Sequence, residues 1–140
     1  MPKQVTVKDA ISQASMEIGI SQLPVNSAVG SADEDIAQML ALLSAVADEV
    51  LLDEPYRRNL GDEVWVTDAS GNPKSAPSAD DDLILFDGRL CIDGLKYRFL
   101  KAKGLEFGEE QRDFSIRLNK LAARANGRVL DLDADEGRVI

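Results

Sequence analysis

The chain has 140 residues, a formal charge of −9, one cysteine and no histidine. The missing histidine removes the commonest general base, metal ligand and activator of serine or cysteine nucleophiles, and the single cysteine excludes an intrachain disulfide. Net acidity argues against a surface that grips nucleic acid through clustered Lys and Arg, while 44% apolar and 29% charged residues are the proportions of one folded domain with a modest core.

Thr6 followed by Asp9 reads as a helix cap, and Val7, Ala10, Ile11, Ala14 and Ile18 recur at helical spacing until Gly19. Residues 21–30, with Pro24, read as a connector. Ser31 and Glu34 form a second capping box before Ile36, Met39, Leu40, Leu43, Ala47, Val50 and Leu51, and Asp53-Glu54-Pro55 is expected to close that helix. The two helices are expected to pack through their stripes. Val64, Trp65 and Val66 then read as strand, and Asp68 to Asp82 as a long mobile loop with Pro73 and Pro77. Leu83–Phe86 and Arg89–Ile92 flank Asp87-Gly88, the pattern of a type I′ hairpin turn. A third helix is expected from an Asp93 cap to Gly104, with Leu95, Phe99 and Ala102 inward. The last should carry Phe107, Phe114, Leu118, Leu121, Ala122 and Ala125 on one face and stop at Asn126-Gly127. The expected fold is mainly α: a four-helix bundle over residues 1–127, a small inserted β-hairpin region at about 62–92 bearing the long loop, and an extended C-terminal arm, 128–140.

That arm alternates apolar and acidic residues from Leu130 to Asp135. Burying Leu130 and Leu132 yields ~3–6 kcal/mol, whereas ordering a dozen residues costs ~1–2 kcal/mol each in backbone freedom. The arm is therefore expected to order on a partner. The longest apolar stretch, Met39 to Ala47, is far short of a membrane span. With no apolar export region at the N-terminus, a cytoplasmic site of synthesis and no membrane contact are expected.

The glycines form no phosphate-binding loop. Asp80-Asp81-Asp82 are carboxylates close enough to hold a cation, but read better as charges guarding a sheet edge. Asp131, Asp133 and Asp135 match the start of an EF-hand loop, yet Glu136 stands where its glycine belongs. Asp33, Glu34 and Asp35 suit the dipole of a first helical turn. Lys96, Arg98, Lys101 and Lys103 make the third helix basic, facing either acidic groups of a neighbour or solvent. Trp65 and Tyr97 read as core, and Cys91 as a buried, inert thiol. No catalytic residue, cofactor or metal is expected.

Three segments, Val7-Lys-Asp-Ala-Ile-Ser-Gln-Ala-Ser-Met-Glu-Ile-Gly19, Leu51-Leu-Asp-Glu-Pro-Tyr56 and Gly94-Leu-Lys-Tyr-Arg-Phe-Leu-Lys-Ala-Lys-Gly-Leu105, carry a likeness beyond these patterns. With the order of elements, they make nearly the whole chain similar to the head-to-tail adaptor (connector) proteins of tailed bacteriophages. The resemblance implies a non-enzymatic virion component at the head–tail junction. It would dock as a ring of twelve copies beneath the portal protein, above a tail or nozzle protein, and line a channel through which genomic DNA passes without sequence-specific binding. It implies a docking arm comprising Arg128, Val129, Leu130, Leu132, Val139 and Ile140, and a tail-facing loop with Asp68, Gly71, Asn72, Lys74 and Asp80. Lys96, Lys101 and Lys103 are expected to meet Asp33 and Glu34 of the neighbouring subunit. The rival readings are a small binding or assembly protein that captures one partner through the same arm, and a carboxylate enzyme with a metal at Asp80–Asp82.

Overall fold

The computed structural model describes residues 4–20, 25–60 and 64–134, the side chains of 59 and 125–134 excepted. In chain order it comprises β1 (Val5–Thr6), α1 (Val7–Glu17), α2 (Glu34–Leu51), α3 (Glu54–Leu60), β2 (Val66–Thr67), β3 (Pro73–Lys74), β4 (Leu83–Ile84), α4 (Gly88–Ala102) and α5 (Gly108–Ala134). The fold is mainly helical with one small antiparallel sheet, ordered β1-β4-β2-β3.

The first helix forms as its sequence dictates. Thr6 Oγ1 accepts the Asp9 N–H at 3.1 Å, Val7, Ala10, Ile11 and Ala14 are buried, and Gly19 terminates the turn at φ +83°. The second is capped by Asp33 rather than Ser31: Asp33 Oδ1 accepts the N–H groups of Asp35 and Ile36, while Ser31 Oγ accepts the N–H of Asp33 itself. At Asp53 the chain does not leave helical structure but restarts it. Asp53 Oδ1 accepts the Tyr56 N–H, and Pro55 falls in the first turn of α3, where its missing N–H costs nothing.

The largest departure lies at Asp87-Gly88. No hairpin forms there: Asp87 is the N-cap of α4, its carboxylate accepting the Leu90 N–H at 3.0 Å, so the third long helix begins six residues before Asp93. An Asp-Gly pair serves a turn or a cap equally well locally. Burial decides between them, because Leu90, Cys91, Leu95 and Phe99 are all buried and repeat at helical spacing. Ala102, in contrast, is exposed, and Gly104 makes the stop at φ +74°.

α4 is buried nearly all round and packs against α1, α2 and α5, so it is the central element, flanked rather than one of four equivalent helices. At Gly94 the approach is so close that an added Cβ would lie 2.6 Å from Val46 Cγ1 on α2 and 2.9 Å from Phe114 Cε1 on α5. Tyr97 stacks between Phe107 and Phe114, with centroids at 6.4 and 5.4 Å. Trp65 lies against Phe86 where the sheet meets the helices.

The segment expected as a mobile loop, 68–82, is a hairpin followed by a clamped return. β2 and β3 pair Val66 with Lys74 and Thr67 with Pro73, through a turn in which Asp68 accepts the N–H groups of Ser70 and Asn72 and the Asn72 amide. Asp80 Oδ1 accepts the N–H groups of Ala28 and Val29, and Asp82 Oδ2 those of Ser78 and Ala79 together with Lys74 Nζ. Short polar residues supply the turn bonds locally, and Asp80 reaches the distant 28–29 backbone, which is why a composition typical of loops still gives an ordered path. Nor does Asn126-Gly127 end the last helix: α5 continues to Ala134, so residues 128–134, expected as extended, are helical. One interior glycine costs a helix only ~1 kcal/mol. Val139 and Ile140 lie outside the described residues.

Replacing Gly94 by Ala is expected to destabilise the protein by ~1–3 kcal/mol through overpacking, despite the better helix propensity of alanine. Thermal denaturation followed by circular dichroism should show the loss. Val46→Ala should recover part of it in the double variant, because the methyl that the new Cβ meets is then gone.

Candidate interaction site

Asp87 sits where four elements converge. Its backbone N–H donates to Tyr56 Oη of α3 at 2.9 Å, its carboxylate caps α4, and the same Oδ2 accepts Arg117 Nε of α5 at 2.6 Å. The carboxylate is almost wholly buried, and each contact replaces part of the hydration it has lost. Tyr56 is fully enclosed, and burial pushes its phenol above the ordinary value, so it is a neutral acceptor at this junction.

In the first turn of α4, Arg89 spans from its own helix to α1. It donates to Asp93 through Nε and Nη2, and both Nη groups reach Glu17. Lys96 Nζ adds a second cation to Glu17 at 2.8 Å. The Arg89 bonds foremost, then Lys96 and Gln13, hold the Glu17 carboxyl far below its ordinary range. This network fixes the crossing of α1 over α4 by charge as well as by packing.

Beside Asp87 opens a groove of about 510 Å³. Its walls are β1 with the first turns of α1, the first turn of α4, and Arg117 of α5; Val5, Leu83 and Ile92 give it an apolar side. It combines space, apolar surface and oriented charge. Arg117, Asp87 and Arg89 were not singled out from the sequence, because reading Asp87-Gly88 as a turn hid the cap. The signal that reveals them is Cys91, Leu95 and Phe99, whose four-residue spacing extends the helix back past Asp93.

The expected site residues fall elsewhere. Asp68, Gly71 and Asn72 build the β2–β3 turn, with Gly71 at φ +95°. Lys74 and Asp80 are engaged in the clamps described above, so the segment expected to face a tail is ordered. In Asp80-Asp81-Asp82 the first and third carboxylates turn to different donors and Asp81 is exposed; among the described residues no three His, Cys, Asp or Glu side chains gather to hold a metal ion.

The basic helix and the start of α2 do meet, but within one chain: Lys103 Nζ lies 3.3 Å from Asp35 Oδ1. Lys103 Nζ also lies over the Phe99 ring and Lys101 Nζ over that of Phe107. Asp33 is occupied as a cap and Glu34 is exposed in the first turn of its helix. Within the chain, Lys96 pairs with Glu17 and Lys103 with Asp35; the expected pairing of Lys96, Lys101 and Lys103 with Asp33 and Glu34 concerns a neighbouring subunit.

Cys91 is fully buried in α4, not in a strand, and burial pushes its thiol well above the ordinary value. Tyr97 donates to Glu49, which also accepts Arg98; burial, then that bond, pushes the phenol up to about 12. Arg128, Val129, Leu130 and Leu132 lie on the α5 backbone. No helix among the described residues is long and apolar enough to cross a membrane.

Tyr56→Phe leaves the buried Asp87 N–H without its acceptor and is expected to cost ~1–3 kcal/mol. A lower urea midpoint at unchanged slope would register it. Because the Glu17 carboxyl titrates lower in the folded chain than its ordinary 4.5, its contribution is complete above about pH 5 and is lost as the pH falls toward the folded value. Asp80 and Asp82 act in the same sense. Stability should therefore decline on acidification below about pH 5, and Glu17→Gln should lower stability at neutral pH by about 1 kcal/mol while flattening part of that decline. Melting temperatures measured at pH 7 and pH 3 for both proteins test this.

Comparison with known proteins yields no matching family, no similar curated protein and no similar solved structure.

Proposed function

We propose that this chain is a non-enzymatic assembly protein of a tailed bacteriophage, the adaptor that joins the portal ring of the head to the tail. The observation that carries the reading is where the three likeness-bearing segments lie. Val7–Gly19 contains α1, Leu51–Tyr56 is the α2–α3 corner, and Gly94–Leu105 is the half of α4 from its closest helix contacts to its stop. α1 packs on α4, and Tyr56 of the α2–α3 corner is bonded to Asp87, the residue that caps α4, so the resemblance attaches to the architecture and not to scattered surface residues.

The chemistry of the chain supports a structural role. Glu17, Asp80, Asp82, Asp87 and Asp93 are bound to internal donors, and the thiol of Cys91 is sealed in the core. What remains outward is an acidic surface, suited to a ring whose channel DNA must traverse without sticking. In this reading residues 128–140 dock on the portal or an adjacent subunit, beginning as a continuation of α5. The ordered 68–82 segment faces the tail. A ring of twelve copies multiplies modest contacts into a durable joint, and the site of action is the virion junction.

An affinity pull-down from the native source, with the captured proteins identified by mass spectrometry, tests the proposal. Portal and tail proteins are the expected catch. A single cellular protein in a one-to-one complex would replace the adaptor with a small binder that uses the same C-terminal segment.

A further inference from the structure

The two edges of the sheet differ. At β3, Pro73 has no N–H and Lys74 is charged, both devices that discourage further pairing. β1 has neither. The Val7 N–H donates to Asp82 O, and Val5 is paired with Ile84, so alternation along an antiparallel ladder turns Val5 toward β4 and the main chains of Gln4 and Thr6 away from it. As the N-cap of α1, Thr6 turns its C=O to the helix, and the Thr6 N–H and the Gln4 main chain face away from β4 among residues that line the groove.

Two charges line that groove beside the strand edge. Arg117 is spent on Asp87 only through Nε; its side chain is 41% exposed, and its Nη groups have no carboxylate partner among the described residues. Asp9 is exposed and its carboxylate has no cation partner among the described residues. Arg89 is already saturated by Glu17 and Asp93. The groove thus presents a strand edge, an apolar side, one available cation and one available anion.

We infer that this groove receives residues 135–140 of a second copy of the chain. That segment, Asp-Glu-Gly-Arg-Val-Ile, carries the complementary set: two carboxylates for Arg117, Arg138 for Asp9, and Val139 and Ile140 for the apolar side formed by Val5, Leu83 and Ile92. The same chain cannot supply it. Along α5, Ala134 is seventeen residues from Arg117, about 26 Å at 1.5 Å per residue, whereas Asp135 and Glu136 extend no more than about 7 Å beyond Ala134. The contact is therefore between copies: exchanged reciprocally it gives a two-fold pair, and passed head to tail it closes into a ring or propagates. Main-chain bonds to the β1 edge give affinity, and the charges set register. The inference rests on the reading that residues 128–140 dock on an adjacent subunit; because this pairing requires no portal, its failure is distinguishable from failure of the pull-down above.

The test titrates the ¹⁵N-labelled full chain with an acetylated synthetic peptide of residues 135–140, up to millimolar concentration. Saturable shifts confined to the Gln4, Thr6 and Gly88 amides and Arg117 Nε–H are expected. Asp9→Lys, whose side chain bears no packing, should weaken the peptide about fivefold, the effect of one exposed ion pair, and Arg138→Glu in the peptide should restore it. Absence of those shifts, shifts centred on another surface, or unchanged affinity for the Asp9→Lys protein would overturn the inference.

Discussion

The architecture depends on one buried carboxylate. Asp87 begins the central helix, holds α5 through Arg117, and its N–H is bound by the phenol of α3, so a single residue sets the start of α4 and the position of two neighbours. A charge so enclosed is tolerable only because every contact it makes offsets lost hydration. Tyr56 is in turn set by the Asp53 cap, which restarts helical structure after α2. The chain from Asp53 through Tyr56 to Asp87 and Arg117 is a polar spine laid through an otherwise apolar junction.

Around that spine, packing follows from how closely helices approach α4. Gly94 lets α2 and α5 come within reach of its backbone, and the aromatic cluster of Tyr97, Phe107 and Phe114 fills the space toward the far end. α1 is held differently, by the apolar stripe of Val7, Ile11 and Ala14 and by the four charges of Glu17, Arg89, Asp93 and Lys96. The sheet is small, but it carries the chain from β4 into the Asp87 cap and anchors the N-terminal strand beside it.

Functionally, the division between inward and outward charge matters most. Buried carboxylates serve caps, clamps and helix crossings, and the outward surface is left acidic, with a groove at the sheet edge.

Much was legible in the chain itself. The Thr6 cap, the stripe of α1, the stops at Gly19 and Gly104, the long α2 face, the buried thiol and the structural role of Asp33 follow from spacing and local hydrogen bonding. Those interactions span four residues or fewer and need no distant partner. Other features turned on choices the local sequence leaves even. Asp87-Gly88 suits a hairpin or a cap, Asn126-Gly127 a stop or a passing interior pair, and the polar 68–82 segment a free loop or a clamped one. Tertiary structure decided each case where the structure shows the partners: Tyr56 and Arg117 arrive from 31 residues before and 30 residues after Asp87 to select the cap, and Ala28 and Val29 offer Asp80 the amides that order the loop. Long-range partners of this kind have no periodicity to betray them, so the sequence by itself determined where helices could begin and which faces they would bury, and the fold determined which of the equal local options was used.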